Sequence, residues 1–318
     1  MKVLVAGASG AIGRPLVPQL LAAGHEVVGI TRRPERADAI RATGADAVVL
    51  DVLDADAVSR TVAEVRPDAI IDQLTSLPSD YDLRKLDALY TATNRVRRDG
   101  TAALLDAAEA HGVQRYVVQS IAFLYAPEGD RIKAEHDRAW TDAPEPFGEA
   151  IRIMVDNERR VSGSDRLQGL ALRYGFFYGP GTYLASDGSF AQMARKRMMP
   201  IVGRGTGVTS YIHVHDAAAA TVAALEHGTP GVYNVVDDDP AAQRDWAPEY
   251  ARAVGAGRPL RIPRWVVRLA AGRLVADMAT EMRGADNARA KAELAWTPAL
   301  PSWREGFRTA RDGDPPVA

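Results

Sequence analysis

The sequence predicts a doubly wound α/β fold: a parallel, Rossmann-type sheet followed by a smaller C-terminal substrate domain. Three observations carry that expectation. A strand, glycine-rich turn and helix open the chain, apolar runs alternate with helical stretches as far as residue 174, and the texture then becomes irregular. The opening unit consists of the apolar run Lys2–Ala6, the turn Gly7-Ala-Ser-Gly-Ala-Ile-Gly13 and a helical stretch to Ala23. Such a turn cradles a phosphate. Gly7 permits the tight bend, Gly10 lets the backbone approach a pyrophosphate and Gly13 lets the helix pack close to the strand, with Ser9, Ala11 and Ile12 completing the cradle at the helix's positive end.

The second strand, 26–31, leads into Arg32 and Arg33. A binder of NAD places an acid there, about 20 residues beyond the glycines, on the ribose 2′-hydroxyl. Two planar cationic forks suit a 2′-phosphate instead, so the expected cofactor is NADP (NADPH), the alternative being two solvated arginines in a loop. A third strand at 47–50 runs into Asp51 and Val52, where an adenine would lie, although Asp51 could equally cap the next helix. The fourth strand, 69–74, brings Gln73 and Leu74 to its end, the fifth, 115–120, brings Gln119 and Ser120, and the sixth, 169–174, ends on Tyr174. Helical stretches at 13–23, 34–43, 54–65, 84–112 and 148–163 join them. In such sheets the carboxyl ends of the strands converge on one ligand crevice.

Residues 1–178 form the expected dinucleotide-binding domain, to which 208–237 returns with a strand at 208–214, a helix at 215–226 and a strand at 231–236. Residues 179–207 and 238–311 would build the substrate domain, and 312–318 a frayed tail. A chain of 318 residues with 47% hydrophobic content can bury a large core. Its net charge of −2 gives no pull toward nucleic acid or anionic membrane, which leaves a small molecule as the expected partner. Cysteine is absent, so disulfides and thiolate zinc sites are excluded. No apolar run approaches the length of a membrane span and no charged leader precedes the first strand, from which a cytoplasmic protein is expected. His213 and His215 share a strand face but lack a third ligand, so no metal site is expected. The basic runs Arg95-Val-Arg-Arg98 and Arg195-Lys-Arg197 read as solvated helix faces.

Several motifs in order resemble the extended short-chain dehydrogenases/reductases, the NAD-dependent epimerase/dehydratase family. They are the Gly7–Gly13 turn, Gly100-Thr101 with Leu104-Leu105-Asp-Ala-Ala108, Arg173-Tyr-Gly-Phe-Phe-Tyr-Gly-Pro-Gly181, Tyr211-Ile-His-Val-His-Asp216, Gly231-Val-Tyr-Asn234 and Leu294-Ala-Trp-Thr-Pro298. The resemblance implies a serine near the end of the fifth strand and a Tyr-x-x-x-Lys pair on the following helix. The tyrosine is the acid/base and the lysine lowers its pKa. Here the expected pair falls on Ala150 and Met154, neither of which can transfer a proton. The one literal match, Tyr81-Asp-Leu-Arg-Lys85, precedes the serine strand and reads as coincidence.

The remaining candidates for the altered catalytic site are Ser120, Tyr125 as a substitute acid, and Lys133 as the charge that would stabilise its anion. Tyr125 could equally be an aromatic packed under its loop. Ala150, Met154, Phe123, Phe176, Phe177 and Met198-Met199 suggest an apolar substrate pocket, or simply core. The resemblance also implies a homodimer built on the helices around 84–112 and 148–163. The expected function is an atypical NADP(H)-dependent oxidoreductase acting on a small hydrophobic carbonyl, alcohol or enone. A non-redox isomerase, cyclase or lyase and an NADP-binding sensor without turnover are the alternatives.

Overall fold

The computed structural model describes residues 1–78 and 86–309, which leaves Tyr81, Lys85 and the tail 312–318 outside the described residues. The first half alternates β1 (Lys2–Ala6), α1 (Gly13–Ala22), β2 (Glu26–Thr31), α2 (Pro34–Arg41), β3 (Asp46–Val49), α3 (Ala55–Val65) and β4 (Ala69–Asp72). Next come α4 (Leu86–Arg95), α5 (Thr101–Ala110), β5 (Arg115–Ile121), β6 (Ile132–Lys133), α6 (Phe147–Ser162), β7 (Gln168–Tyr174) and β8 (Phe176–Tyr178). The second half adds α7 (Ser189–Arg195), β9 (Ile201–Val202), β10 (Val208–Thr209), β11 (Tyr211–His213), α8 (Val214–His227), β12 (Gly231–Val235) and β13 (Ala241–Ala242). It closes with α9 (Gln243–Ala253), β14 (Arg261–Ile262), α10 (Arg264–Glu281), β15 (Gly284–Ala285), α11 (Ala288–Glu293) and α12 (Trp303–Thr309).

Seven strands form one parallel sheet in the order β12-β7-β5-β4-β1-β2-β3. The strands are apolar on both faces because helices cover both. Val3 and Val5 point to the side of α1 and α8, packing with Leu16, Leu20 and Ala217, while Leu4 and Ala6 point to the side of α3 and α5, packing with Val58, Val62 and Leu104. The chain order reverses between β1 and β4. Such a switch point opens a crevice at the carboxyl ends of the two strands.

Two expectations are corrected here. The helix foreseen over 84–112 is not continuous, because residues Val96–Gly100 widen into a π turn between α4 and α5. Asn157 of α6 inserts its amide there and donates from Nδ2 to the carbonyl of Arg97 at 2.7 Å, which answers a carbonyl displaced from the regular ladder. The strand foreseen over 208–214 is two short strands, and Val214 already begins α8. His213 serves as the cap of that helix, its Nδ1 accepting from the amide of His215 at 3.3 Å.

Outside the main sheet, β8 pairs with β11, β9 with β14, β10 with β13 and β6 with β15. An aromatic cluster of Tyr178, Tyr211, Tyr250, Trp303 and Phe307 packs α12 and α9 against β8 and β11. Trp303 is held at both ends of its residue. Its amide donates to Asp237 Oδ2 at 2.8 Å and its indole Nε1 to the carbonyl of Asp239 at 2.8 Å. Among the described residues no helix is long and apolar enough to cross a membrane.

The first helix sets a test of this packing. A Cβ at Gly13 would collide with the carbonyl oxygen of Gly7 and stand 2.5 Å from that of Ala8, both main-chain atoms that cannot swing away. Gly13→Ala is therefore expected to lower stability by about 1–3 kcal/mol, read as a lower urea midpoint at unchanged slope.

Candidate functional site: a glycine cradle and a sealed polar network

Gly7 takes φ +83° at the end of β1, and a Cβ there would stand 2.6 Å from the carbonyl oxygen of Gln73. The turn thus presses against the end of β4, at the switch point. Gly10 donates its amide to the Gly7 carbonyl at 2.9 Å, closing the loop. No side chain caps α1. The Arg14 amide already donates to the Gly10 carbonyl at 3.1 Å and Pro15 has no N–H, so an anion would be met by the turn itself, where Ser9, Gly10 and Ala11 are half-exposed above buried Ile12 and Gly13. Arg14, exposed on the first turn, reaches across to the loop after β8, where a Cβ on Gly181 would run into its guanidinium.

The other strand ends assemble around this cradle. Arg32 and Arg33 are exposed after β2, and the Arg33 amide donates to Thr31 Oγ1 at 3.3 Å. Asp51 accepts from the amide of Leu53 at 3.1 Å, whereas the cap of α3 is Asp54, which accepts from Ala57 at 2.9 Å. Asp51 is thereby released from the capping role. Val52 and Leu74 flank Gly100, whose Cβ would lie 3.0 and 3.3 Å from their methyls. Gln73 donates from Nε2 to the hydroxyl of Tyr174 at 3.0 Å, and that hydroxyl is shared with Thr221 Oγ1 at 2.7 Å. The Tyr174 side chain is therefore fixed inside the core, its hydroxyl pushed up to about 12 by burial. Gln73 keeps a buried Oε1 without a partner, and Gln119 is half-buried beside it on β5. The cradle that a Cβ would fill, the uncapped helix and the orphaned amide oxygen together fit a dinucleotide.

Ser120 and Tyr125 do come together, in one buried network. Ser120 shares its face of β5 with Tyr116 and Val118, toward α6, and donates from Oγ to Glu158 Oε1 at 2.5 Å. Arg173, on β7, grips the same carboxylate in bidentate fashion, Nε to Oε1 at 2.8 Å and Nη2 to Oε2 at 2.6 Å. Its Nη1 donates to the Tyr125 hydroxyl at 2.9 Å and to the carbonyl of Glu135 at 3.1 Å. Tyr125 in turn donates to Asn234 Oδ1 at 2.6 Å. Both hydroxyl protons are already given away inside the protein.

Burial pushes the Tyr125 phenol up to about 12, with Arg173 and Asn234 opposing. Burial pulls Arg173 down, but the hydrogen bonds and charge of Glu158 outweigh it and the net shift is upward. The structure also corrects the source of charge beside Tyr125. Arg173, its Cζ 5.2 Å from the ring centroid, stands where Lys133 was expected, and Lys133 is buried on β6 with Asp137 Oδ1 3.4 Å from its ammonium.

Neither Arg173 nor Glu158 was expected at the site from the sequence. A lone arginine ending the apolar run Gly169–Leu172 was the available signal, since a charge on a buried strand demands a carboxylate. Ala150 and Met154 lie on the buried face of α6 with Phe147 and Ile151. Phe123 stacks on Phe176 at 4.1 Å and on Phe147 at 6.4 Å, so part of the expected apolar wall exists. Phe177 packs instead against Tyr174, Met199 joins the aromatic cluster around α9, and Met198 is exposed beyond α7.

A seven-stranded parallel sheet with a glycine cradle at its switch point defines a Rossmann-type protein. The chain belongs to the NAD dependent epimerase/dehydratase family, whose sequence profile matches residues 3–235. It is 44% identical over 309 residues to a 3-diazoavenalumate denitrifying reductase of Streptomyces sp, covering 96% of this chain and 99% of that protein. Its fold matches that of Thermus thermophilus UDP-glucose 4-epimerase in complex with NAD, with TM-score 0.75 and 24% identity over 98% of each chain. It also matches human epimerase family protein SDR39U1 with NADPH, with TM-score 0.73 and 21% identity over 98% of this chain and 99% of that one.

The buried pair makes a sharp test. Glu158→Leu leaves the Arg173 guanidinium buried without its carboxylate and is expected to cost about 3–5 kcal/mol. In the Glu158→Leu/Arg173→Leu double variant much of that loss should return. A double-mutant cycle by chemical denaturation measures both, and additive losses would show that the two side chains do not act as a pair.

Proposed function

We propose that this chain is an NADP(H)-dependent reductase that delivers hydride to a small aromatic substrate without a side-chain proton donor. The observation that carries the reading is the sealing of the candidate donors among the described residues. Ala150 and Met154 are apolar and buried, while the hydroxyls of Ser120 and Tyr125 are committed to Glu158 and Asn234. Reduction of a carbonyl requires a proton on oxygen. Replacement of a diazonium group does not.

The 44% identical relative, named as a denitrifying reductase of a diazo compound, supports a carbon-bound diazonium as the substrate class. A reduced nicotinamide dinucleotide, its pyrophosphate in the Gly7–Gly13 cradle, would supply the hydride. In the substrate the C–N bond breaks, its electron pair leaves with N2, and the hydride with its own pair forms the new C–H bond. The diazonium charge is cancelled and no proton is taken up. The protein's part is to orient and to exclude water. Half-buried Phe123 and Phe176 offer a shelf for an aromatic ring, and residues 179–207 and 238–311 would close over it.

Arg32 and Arg33 support NADPH over NADH. Charge-assisted bonds to a 2′-phosphate are worth about 1.5–3 kcal/mol, so NADPH is expected to bind about ten- to hundredfold more tightly. Arg32→Ala and Arg33→Ala should each narrow that gap in calorimetric titrations, and equal affinities in the parent would remove the cofactor assignment.

Turnover is tested with a 4-methoxybenzenediazonium salt, whose ring carries no ionisable hydroxyl, and NADPH deuterated at the transferring carbon. One N2 released per cofactor oxidised, with deuterium on the ring, is the expected result above the enzyme-free background. Because Tyr125 stays protonated until about 12, the chemical step should be flat from about pH 6 to about pH 9. Oxidation of NADPH by a ketone or enone panel, but not by the diazonium, would establish a carbonyl reductase instead. Tight cofactor binding with no turnover on any of them would favour a sensor.

A further inference from the structure

Arg97 was read from the sequence as part of a solvated basic run, and the structure removes it from that face. It lies in the π turn, one helical turn before Thr101. Thr101 donates to Asp72 Oδ2 at 2.7 Å, and Gly100 packs on Val52 and Leu74, so this end of the helix pair stands over the ends of β3 and β4. Arg97 therefore lies close to the ends of those strands, half-buried near Tyr90 and Asp72. Its Nε is shielded from solvent without a hydrogen-bond partner, and among the described residues its guanidinium makes no hydrogen bond or ion pair.

Asp72 acts on it only through space. That carboxylate already accepts from the amide of Leu74, from Thr101 and from the Tyr116 hydroxyl at 3.0, 2.7 and 3.0 Å. Burial pulls Arg97 down to about 10, the direction expected of a cation held from water with too little opposing charge. Beyond Tyr90 an aromatic row runs through buried Phe147 to half-buried Phe123 and Phe176. Tyr90 meets Phe147 edge-on at 6.1 Å, Phe147 stacks with Phe123 at 6.4 Å, and Phe123 with Phe176 at 4.1 Å.

We propose that Arg97 is an anion anchor of the crevice, a binding residue whose free guanidinium takes an oxyanion at one end of an aromatic substrate whose ring meets the half-buried Phe123 and Phe176. A planar fork with unspent donors matches a carboxylate in bidentate geometry. A cofactor phosphate offers the same chemistry, and the experiment separates the two sources. The inference rests on the crevice being the nicotinamide site, which NADPH binding to the parent protein tests by itself.

Parent, Arg97→Gln and Arg97→Lys proteins are titrated calorimetrically with NADPH, and then, loaded with NADP+, with cinnamate and with cinnamamide as its neutral counterpart. A carboxylate anchor gives a parent that prefers cinnamate about ten- to hundredfold, a preference erased by Arg97→Gln and partly kept by Arg97→Lys, with NADPH affinity unchanged. A phosphate anchor gives about a tenfold or greater loss of NADPH affinity in Arg97→Gln instead. Thermal melts of the variants confirm that each is folded. If the parent does not prefer cinnamate over cinnamamide and NADPH binds parent and Arg97→Gln equally, the proposal is overturned, whether or not the protein proves to be a reductase.

Discussion

A guanidinium sealed beneath the ends of the central strands has to be answered by a carboxylate, and the arrangement around Arg173 follows from that requirement. Glu158 supplies both oxygens from α6 and so fixes the rotation of that helix against β5 and β7. Tyr125 and the Glu135 carbonyl take the remaining Nη1, which pins the loop after β5. Asn234 then joins β12 to the same network through Tyr125. Three sheet strands, one helix and one loop are held by a single charge pair. A buried pair is weak evidence for stability as such, but removal of one partner is costly, so the network specifies one arrangement.

That arrangement also bears on the chemistry proposed for the site. A serine and a tyrosine in a reductase crevice invite the role of proton donor, and their positions in the chain alone would sustain it. Their partners do not. Hydroxyls whose protons are held by Glu158 and Asn234 present lone pairs, and replacing those bonds mid-reaction would leave buried acceptors unpaired at a cost of about 1–3 kcal/mol each. A reaction whose leaving group departs as a neutral gas makes no such demand.

What could be read from the chain follows the range of the interaction behind each feature. The cradle was legible because Gly7, Gly10 and Gly13 answer backbone crowding within seven residues, and the strands because Val, Ile and Leu runs such as Val3–Val5 or Ala69–Ile71 report burial on two faces. The release of Asp51 from the helix cap was decided by a residue only three positions on, yet both acids satisfied the same local rule. Contacts across long separations were not legible. Arg173 lies 48 residues from Tyr125, Asn234 lies 109 from it, and Asn157 enters the π turn from 60 residues away. No local pattern foretells a bulge that exists because a distant amide fills it, so Arg97 read as solvent-facing until α6 was in place.

Arg14 and Gly181 carry a consequence for engineering. The arginine leaves the first turn of the cofactor helix and lies across the loop after β8, and the space it occupies is the space a side chain at 181 would need. New substrates are reached on a shared scaffold by exchanging its loops, and this contact makes residues 179–181 a poor place to cut. A graft that brings any residue but glycine at 181 displaces Arg14 from beside the phosphate cradle. The two positions form one structural module, to be transplanted together or left alone.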